Sequence, residues 1–308
     1  MILVTGGRGF VGRATIPALG GDVVAPTSDE LNLTDRDAVA DYFATYKPEI
    51  VVHLAARVGG ITVNLSQPAD FLLENVRMDA NVLSASANHR PRHLILMMST
   101  CMYPDRLSDS AYPMTENQIE DGPPPPSNAA YAAAKRTLLH GARALHDQYR
   151  VEFTALIPSN LYGPGDHFGS KASHFLAAAV TKVEFARRAK ASTVEFFGTG
   201  RALRQFLLVD DLASVIARVV RADPTNRAVN IAPSHNLSIK ELAERVSQAA
   251  DFHGEGRFSG VGPDGQYRKD VSTSLLEEIL PEWKEIETPL DDGLRRTIKW
   301  YRDNVATG

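Results

Sequence analysis

The sequence predicts an α/β fold in which a doubly wound parallel sheet is followed by a smaller C-terminal α/β unit. Three observations predict it. Short β-branched runs alternate with helical stretches through the first half, a glycine-rich turn joins the first run to the first helix, and after Pro158 the rhythm loosens into longer loops with Gly, Pro and His.

Met1 to Val4 reads as a strand, Phe10 to Leu19 as a helix, Asp22 to Ala25 as a short strand and Asp35 to Tyr46 as a helix. Ile50 to Leu54 follows as a strand, Pro68 to Asn88 as a long helix and His93 to Met98 as a strand. Ala129 to Gln148 reads as an Ala-rich helix and Glu152 to Ile157 as the strand after it. Beyond Pro158, a helix is expected near Phe175 to Ala189 and a strand at Thr193 to Phe197. Leu208 to Arg221 and Ala228 to Ile231 look like a return to the main sheet. Ser238 to Ala250 is a helix, with Ser238 as N-cap and Glu241 completing a capping box. The expected division is a dinucleotide-binding domain over 1–157, rejoined by 205–231, and a substrate domain built from 158–204 and 232–308. No internal repeat is visible.

Composition excludes several classes. At 308 residues, 44% apolar and 23% charged, the chain can bury a substantial core, and apart from Pro123 to Pro126 it has no low-complexity run. A net charge of −4 without a Lys/Arg stripe argues against nucleic acid, whose displaced counterions require a concentrated positive surface. No apolar stretch reaches membrane-spanning length and the N-terminus carries no basic leader, so no membrane partner and a cytoplasmic location are expected. The single cysteine, Cys101, rules out an internal disulfide and a Cys-based zinc site; His53, His93, His140 and His146 lack ligand spacing, so no metal is implied.

The first motif is Thr5-Gly6-Gly7-Arg8-Gly9-Phe10-Val11-Gly12, which closes a strand and opens a helix. Glycines at 6, 9 and 12 allow a tight turn, close approach to a pyrophosphate and close helix–sheet packing, while the helix N-terminus offers oriented N–H donors. This is a Rossmann-type signature. No carboxylate ends the second strand, which runs into Ala25-Pro26-Thr27-Ser28, and Arg8 lies where it can meet a 2′-phosphate. NADPH is therefore favoured over NADH, with Asp29 near enough to leave NADH open.

The second motif is Tyr131-Ala-Ala-Ala-Lys135. Residues four apart share a helix face, so the Lys135 ammonium can sit beside the Tyr131 phenol and lower its pKa toward a value useful for proton transfer. The spacing alone discriminates poorly. Its place downstream of a strand ending Met98-Ser99-Thr100-Cys101 adds meaning, because the Ser99 hydroxyl is a natural partner for polarising a carbonyl beside a phenol.

With these motifs in place, the sequence resembles the extended short-chain dehydrogenase/reductases. It is similar, more narrowly, to their GDP-L-fucose synthase branch through Ala55-Ala56-Arg57-Val58-Gly59-Gly60-Ile61, Ser99-Thr100-Cys101-Met102-Tyr103-Pro104 and Ile157-Pro158-Ser159-Asn160-Leu161-Tyr162-Gly163-Pro164-Gly165-Asp166. Phe197-Gly198-Thr199-Gly200 and Pro263-Asp264-Gly265-Gln266 extend the likeness nearly end to end. That branch converts GDP-4-keto-6-deoxy-D-mannose to GDP-L-fucose by epimerising C3 and C5 and reducing C4 with NADPH. The resemblance implies that Tyr131 protonates the C4 oxygen, Lys135 holds the ribose and tunes Tyr131, and Ser99 polarises the carbonyl. It also implies that Cys101 and His174 move the C3 and C5 protons, while His167 only lines the pocket. Pro158, Ser159, Asn160, Leu161 and His174 would join the cofactor site, and Lys182, Phe197, Arg204 and Asp264 would hold a GDP-linked sugar. A homodimer is implied as well, the Ala-rich face from Ala129 to Ala144 allowing close helix approach.

Two positions depart from the branch. Phe197 stands where Trp is usual and removes an indole N–H, and Leu203 stands where a second basic residue is common. They leave open a related GDP-4-keto-6-deoxy-heptose, or reduction alone. A non-catalytic NADP-binding scaffold is the third reading; such a protein would be expected to lose Tyr131, Lys135 or Ser99, and all three are present.

Overall fold

The computed structural model describes residues 1–169, 173–261 and 266–305. β1 (Ile2–Thr5), α1 (Phe10–Leu19), β2 (Val23–Val24), α2 (Arg36–Tyr46) and β3 (Ile50–His53) form the first winding. α3 (Ile61–Ser66), α4 (Pro68–His89), β4 (His93–Met97), α5 (Ala129–Tyr149) and β5 (Phe153–Pro158) form the second. The local chemistry is legible in the ends. Asp35 caps α2 by accepting from the Asp37 and Ala38 amides, and α4 opens with Pro68, whose missing N–H costs nothing in a first turn.

Further along come β6 (Asn160–Tyr162), α6 (Phe175–Arg188), β7 (Thr193–Phe196), β8 (Leu203–Arg204), β9 (Phe206–Leu208) and α7 (Val209–Val219). β10 (Ala228–Ile231), β11 (Leu237–Ser238), α8 (Ile239–Ala249), β12 (Glu255–Phe258), α9 (Ser274–Ile279), α10 (Trp283–Ile286) and α11 (Leu290–Asn304) complete the described chain. The capping box expected at Ser238 and Glu241 is present.

The central sheet has six parallel strands in the order β10-β5-β4-β3-β1-β2. Its central strands are buried along their whole length because helices cover both faces. Val39, Phe43, Val82 and Leu138 from α2, α4 and α5 pack one face; Leu19, Leu212, Val215 and Trp283 pack the other. The chain leaves β1 for β2 on one side and returns to β3 on the opposite side. A crevice therefore opens at the carboxyl ends of β1 and β3, the usual ligand position in such sheets.

A third core gathers Leu176, Val180, Phe196, Phe206, Leu242, Leu294 and Ile298 from α6, α8 and α11 with the short strand pairs. Leu208 to Arg221 does not return to the main sheet as expected: Leu208 ends β9, which pairs with β6, and Val209–Val219 is α7, whose apolar face packs on the sheet; β7 pairs with β12 and β8 with β11. β10 does join the main sheet, in register with β5 from Ala228 opposite Ala155 to Ile231 opposite Pro158.

Candidate active site

The glycine-rich turn follows β1 directly. Gly6 has φ +72°, a left-handed conformation that side chains resist, and a Cβ there would lie 2.7 Å from the Ala55 amide nitrogen. At Gly12 a Cβ would come within 2.3 Å of the Gly6 carbonyl oxygen. Gly7 packs against Ala25, and the Gly9 amide donates to Gly6 O at 3.0 Å before capping α1. Phe10 and Val11, in the first turn of α1, are half-buried, whereas Arg8 and Gly9 are exposed at its N-terminus. The helix start, at the carboxyl end of β1, thus offers the first-turn N–H groups that a pyrophosphate site requires, with the exposed Arg8 immediately before it. One carboxylate that the sequence reading passed over lies nearby. Glu30 feels the Arg8 charge, but the Thr27 amide holds its Oε2 at 2.8 Å, and the Thr27 contacts keep the carboxyl below its usual range.

At the carboxyl end of β4, a single 3₁₀ turn over Thr100–Met102 sets the second group of residues. Ser99 Oγ accepts from the Cys101 amide at 3.1 Å, and the turn packs against α5, which carries Tyr131 and Lys135. Lys135 is buried, with 1% of its surface exposed, and its Nζ lies 6.0 Å from the Tyr131 ring centroid. No hydrogen bond to Lys135 Nζ exists among the described residues. The predicted lowering of the phenol by Lys135 is not met: desolvation holds the Tyr131 hydroxyl well above the ordinary tyrosine range, with the charges of Cys101 and Asp79 acting in the same direction. The physical reason is burial: the hydroxyl is stripped of the solvent that would stabilise a phenolate, and no described hydrogen bond from Lys135 offsets that loss.

Two residues around Cys101 escaped the sequence reading. Asn128 Nδ2 donates to Cys101 Sγ at 2.7 Å, and Lys269 Nζ donates to the same sulfur at 3.5 Å. Asn128 carried one legible signal, since it lies three residues before Tyr131 at the N-cap of α5. Lys269 carried none, being brought in from the far end of the chain. Asp79, which bears on Tyr131, belongs to a buried chain in which Thr5 Oγ1 meets His53 Nδ1 at 2.7 Å and His53 Nε2 meets Asp79 Oδ1 at 3.0 Å.

His174 is exposed at the N-cap of α6, and no described hydrogen bond or ion pair joins it to the Cys101 group. Its neighbour in charge is Asp166, whose carboxyl is raised by burial and lowered in part by the His167 amide, His174 and His167. Pro158 ends β5; Ser159 is buried with an unpartnered hydroxyl, Asn160 Nδ2 donates to Gln205 O at 3.0 Å, and Leu161 is half-buried. Of the residues expected to hold the sugar nucleotide, Lys182 Nζ sits 4.2 Å from the Phe197 ring centroid and donates to Glu195 O at 2.9 Å. Phe197 is 75% exposed, with the Lys182 ammonium over one face of its ring. Arg204 lies apart on β8, donating to Leu203 O at 2.7 Å. Asp264 lies outside the described residues.

The turn that Cβ atoms would fill, the free helix start, the unpartnered Ser159 hydroxyl and the buried Lys135 ammonium together fit a nicotinamide dinucleotide. The sheet and this site define a dinucleotide-binding enzyme of the epimerase and reductase class. The chain belongs to the NAD dependent epimerase/dehydratase family, whose model matches residues 2–232, and within it to the GDP-L-fucose synthase branch. It is 36% identical to probable GDP-L-fucose synthase 1 of Oryza sativa subsp. japonica, over 99% of this chain and 93% of that protein. A GDP-L-fucose synthetase from Naegleria fowleri bound to NADP superposes with TM-score 0.90 at 33% identity, over 100% of this chain and 94% of the other. A GDP-6-OMe-4-keto-L-xylo-heptose reductase from C. jejuni superposes with TM-score 0.89 at 26% identity, over 98% and 97%.

Proposed function

We propose that this protein is an NADPH-dependent epimerase-reductase that takes GDP-4-keto-6-deoxy-D-mannose to GDP-L-fucose. The observation that carries the reading is the meeting of a hydroxyl, the chain's one thiol, a phenol and a buried lysine at the carboxyl end of β4, on a fold similar from end to end to GDP-L-fucose synthases.

A 4-keto group acidifies the protons on both neighbouring carbons, so epimerisation needs a base, an acid and stabilisation of the enolate oxygen. Cys101 removes a proton and His174 delivers one to the opposite face. Ser99 and Tyr131 hydrogen-bond the oxygen on which charge gathers. Bound NADPH supplies the hydride for C4. Tyr131 protonates the C4 oxygen, and the raised phenol suits this role because it keeps its proton until the oxygen becomes basic. Lys135 holds the ribose. Gly6, Gly7, Gly9 and Gly12, with Phe10 and Val11 in the first turn of α1, receive the pyrophosphate; Arg8 takes the 2′-phosphate; Pro158 to Leu161 border the nicotinamide. Lys182 and Arg204 suit the diphosphate, the exposed Phe197 ring suits a base or sugar ring, and Asp264 suits the guanine edge.

Incubation with NADPH and GDP-4-keto-6-deoxy sugars in deuterated water, followed by product NMR, tests this directly. The expected product carries deuterium at C3 and C5 and is reduced at C4; reduction without deuterium removes the epimerase half. A second reading, a GDP-linked heptose reductase, is favoured by the C. jejuni likeness and by Phe197. The same experiment with the heptose substrate decides between them.

The reading extends to organisation. It places the dinucleotide unit at 1–157 and 205–231, the substrate unit at 158–204 and 232–308, and the protein as a cytoplasmic homodimer. In support, the third core is separate from the two that flank the sheet, and no helix among the described residues is long and apolar enough to cross a membrane. Light scattering reads the mass.

A further inference from the structure

We propose that Lys269, with Asn128, holds Cys101 as a thiolate ready to act as the base. The inference deepens the reading of Cys101 given above and rests on it.

The sulfur receives two donors and faces no acceptor among its described partners. An ammonium can only donate, and the Asn128 Nδ2 group is likewise a donor, so Cys101 Sγ is the acceptor in both contacts at 3.5 Å and 2.7 Å. A thiolate fills that role far better than a thiol, and an adjacent cation favours the charged form. Lys269 is buried, with 8% of its surface exposed, and Cys101 Sγ is its only hydrogen-bond or ion-pair partner among the described residues. A buried ammonium without a counter-charge is costly, so the geometry calls for an anion at the sulfur.

The neighbouring groups leave the pairing intact. Asp270 is taken by Arg268, its Oδ1 at 2.6 Å from Arg268 Nε. Arg136, on α5, is spent on the Met102 and Gly122 carbonyls with Glu120 at 3.9 Å, and Tyr131 stays protonated at neutral pH. Asn128 also gives up a normal task. An asparagine at an N-cap ordinarily accepts from the first turn, yet this one makes no side-chain cap and its Oδ1 is buried and unpartnered. The strand-like segment carrying Lys269 is strapped down on both sides. Leu203 N donates to Tyr267 O at 2.7 Å, Met114 N to Asp270 O at 2.9 Å, and Val271 N to Gln205 Oε1 at 2.9 Å. In the step itself the thiolate takes the proton as S–H, and the C–H electron pair moves onto the carbonyl oxygen as the enolate. The sulfur then returns its proton to solvent. Lys269 never touches the reacting carbon and is a positioning residue.

Cys101 is the only cysteine, so alkylation of the intact protein by iodoacetamide, followed by mass against pH, reads this sulfur alone. The midpoint in the parent protein is expected below the ordinary thiol value of about 8.5. Lys269→Met should raise the midpoint by about one pH unit or more and slow alkylation at pH 7 about tenfold, while Lys269→Arg keeps the parent profile. Lys269→Gln stands in should the Met variant fail to fold, as judged by circular dichroism. An ordinary midpoint in the parent protein, an unmoved profile in Lys269→Met, or equal losses in Met and Arg variants would overturn the proposal. No sugar enters this measurement. A shifted profile together with full deuterium exchange by Cys101→Ser would therefore uphold the pairing and sink only the role of Cys101 as base.

Discussion

Replacing His93 with leucine should flatten the acid side of the stability curve. The imidazole is fully buried on β4, with Nε2 at 2.9 Å from Thr154 Oγ1 and Nδ1 unpartnered. Burial, with Arg92 next, pushes it from the ordinary 6.5 down to about 4. Because the folded value lies below the unfolded one, the unfolded chain binds its proton first as pH falls. The neutral ring's contribution is complete above pH 6.5 and is lost progressively down to about 4, below which the loss stops growing. Between pH 7.5 and pH 5 that displacement corresponds to about 2 kcal/mol of lost stability from this one residue. Urea unfolding at the two pH values, extrapolated to water, measures it. His93→Leu should lose about 2 kcal/mol less than the parent protein over the same interval. An identical loss in both proteins would show that the buried ring does not set the acid limb.

The remaining predictions concern the site. Arg8→Ala should raise the KM for NADPH by about 10- to 100-fold, the worth of a charge-assisted contact, and leave NADH nearly unaffected; equal losses with both would remove Arg8 from the 2′-phosphate. Gly12→Ala would put a methyl group against three backbone atoms of Gly6 and Gly7, so dinucleotide binding by calorimetry should fall below detection, and retention of parent affinity would refute the cradle. Tyr131→Phe should lower kcat by about 10²- to 10⁴-fold with substrate KM little changed, and solvent exchange beside the ketone should slow as well because the phenol also hydrogen-bonds the enolate oxygen; undiminished exchange would confine Tyr131 to the reduction. Phe197→Ala should raise the KM for the GDP-sugar and leave kcat intact, and an unchanged KM would take the exposed ring out of the substrate site.

Much of the architecture was legible because it depends on local periodicity. Strands that are apolar throughout signal a sheet covered on both faces, and Phe10–Leu19, Ala228–Ile231 and the Ser238 capping box emerge where their residues place them. The C-terminal helix was missed although Leu290, Leu294, Ile298 and Tyr301 keep helical spacing. The charged residues between them hid a narrow apolar stripe that only the third core reveals as buried. The reading of Leu208 to Arg221 as a return to the main sheet went astray for a related reason: its Val, Leu and Ile residues suit a strand or a helix face alike, and the structure makes Val209–Val219 a helix packed on the sheet while Leu208 ends β9 beside β6.

At the site the division is sharper. Gly6, Gly9 and Gly12 declare themselves, because a backbone that must turn tightly and receive a pyrophosphate tolerates no other residue and the constraint lies within seven consecutive positions. Tyr131 and Lys135 share a helix face by arithmetic alone, yet the balance between the ammonium and burial at the phenol required the folded surroundings. Cys101 reads from the chain as a lone thiol of uncertain character. Its donors come from Asn128 at the start of α5 and from Lys269, separated from it by 168 residues and carried back by a segment tied to Leu203, Gln205 and Met114. Local sequence dictates what one turn or one helix face can do; which charges stand beside a sulfur depends on long-range closure, for which no short pattern is required.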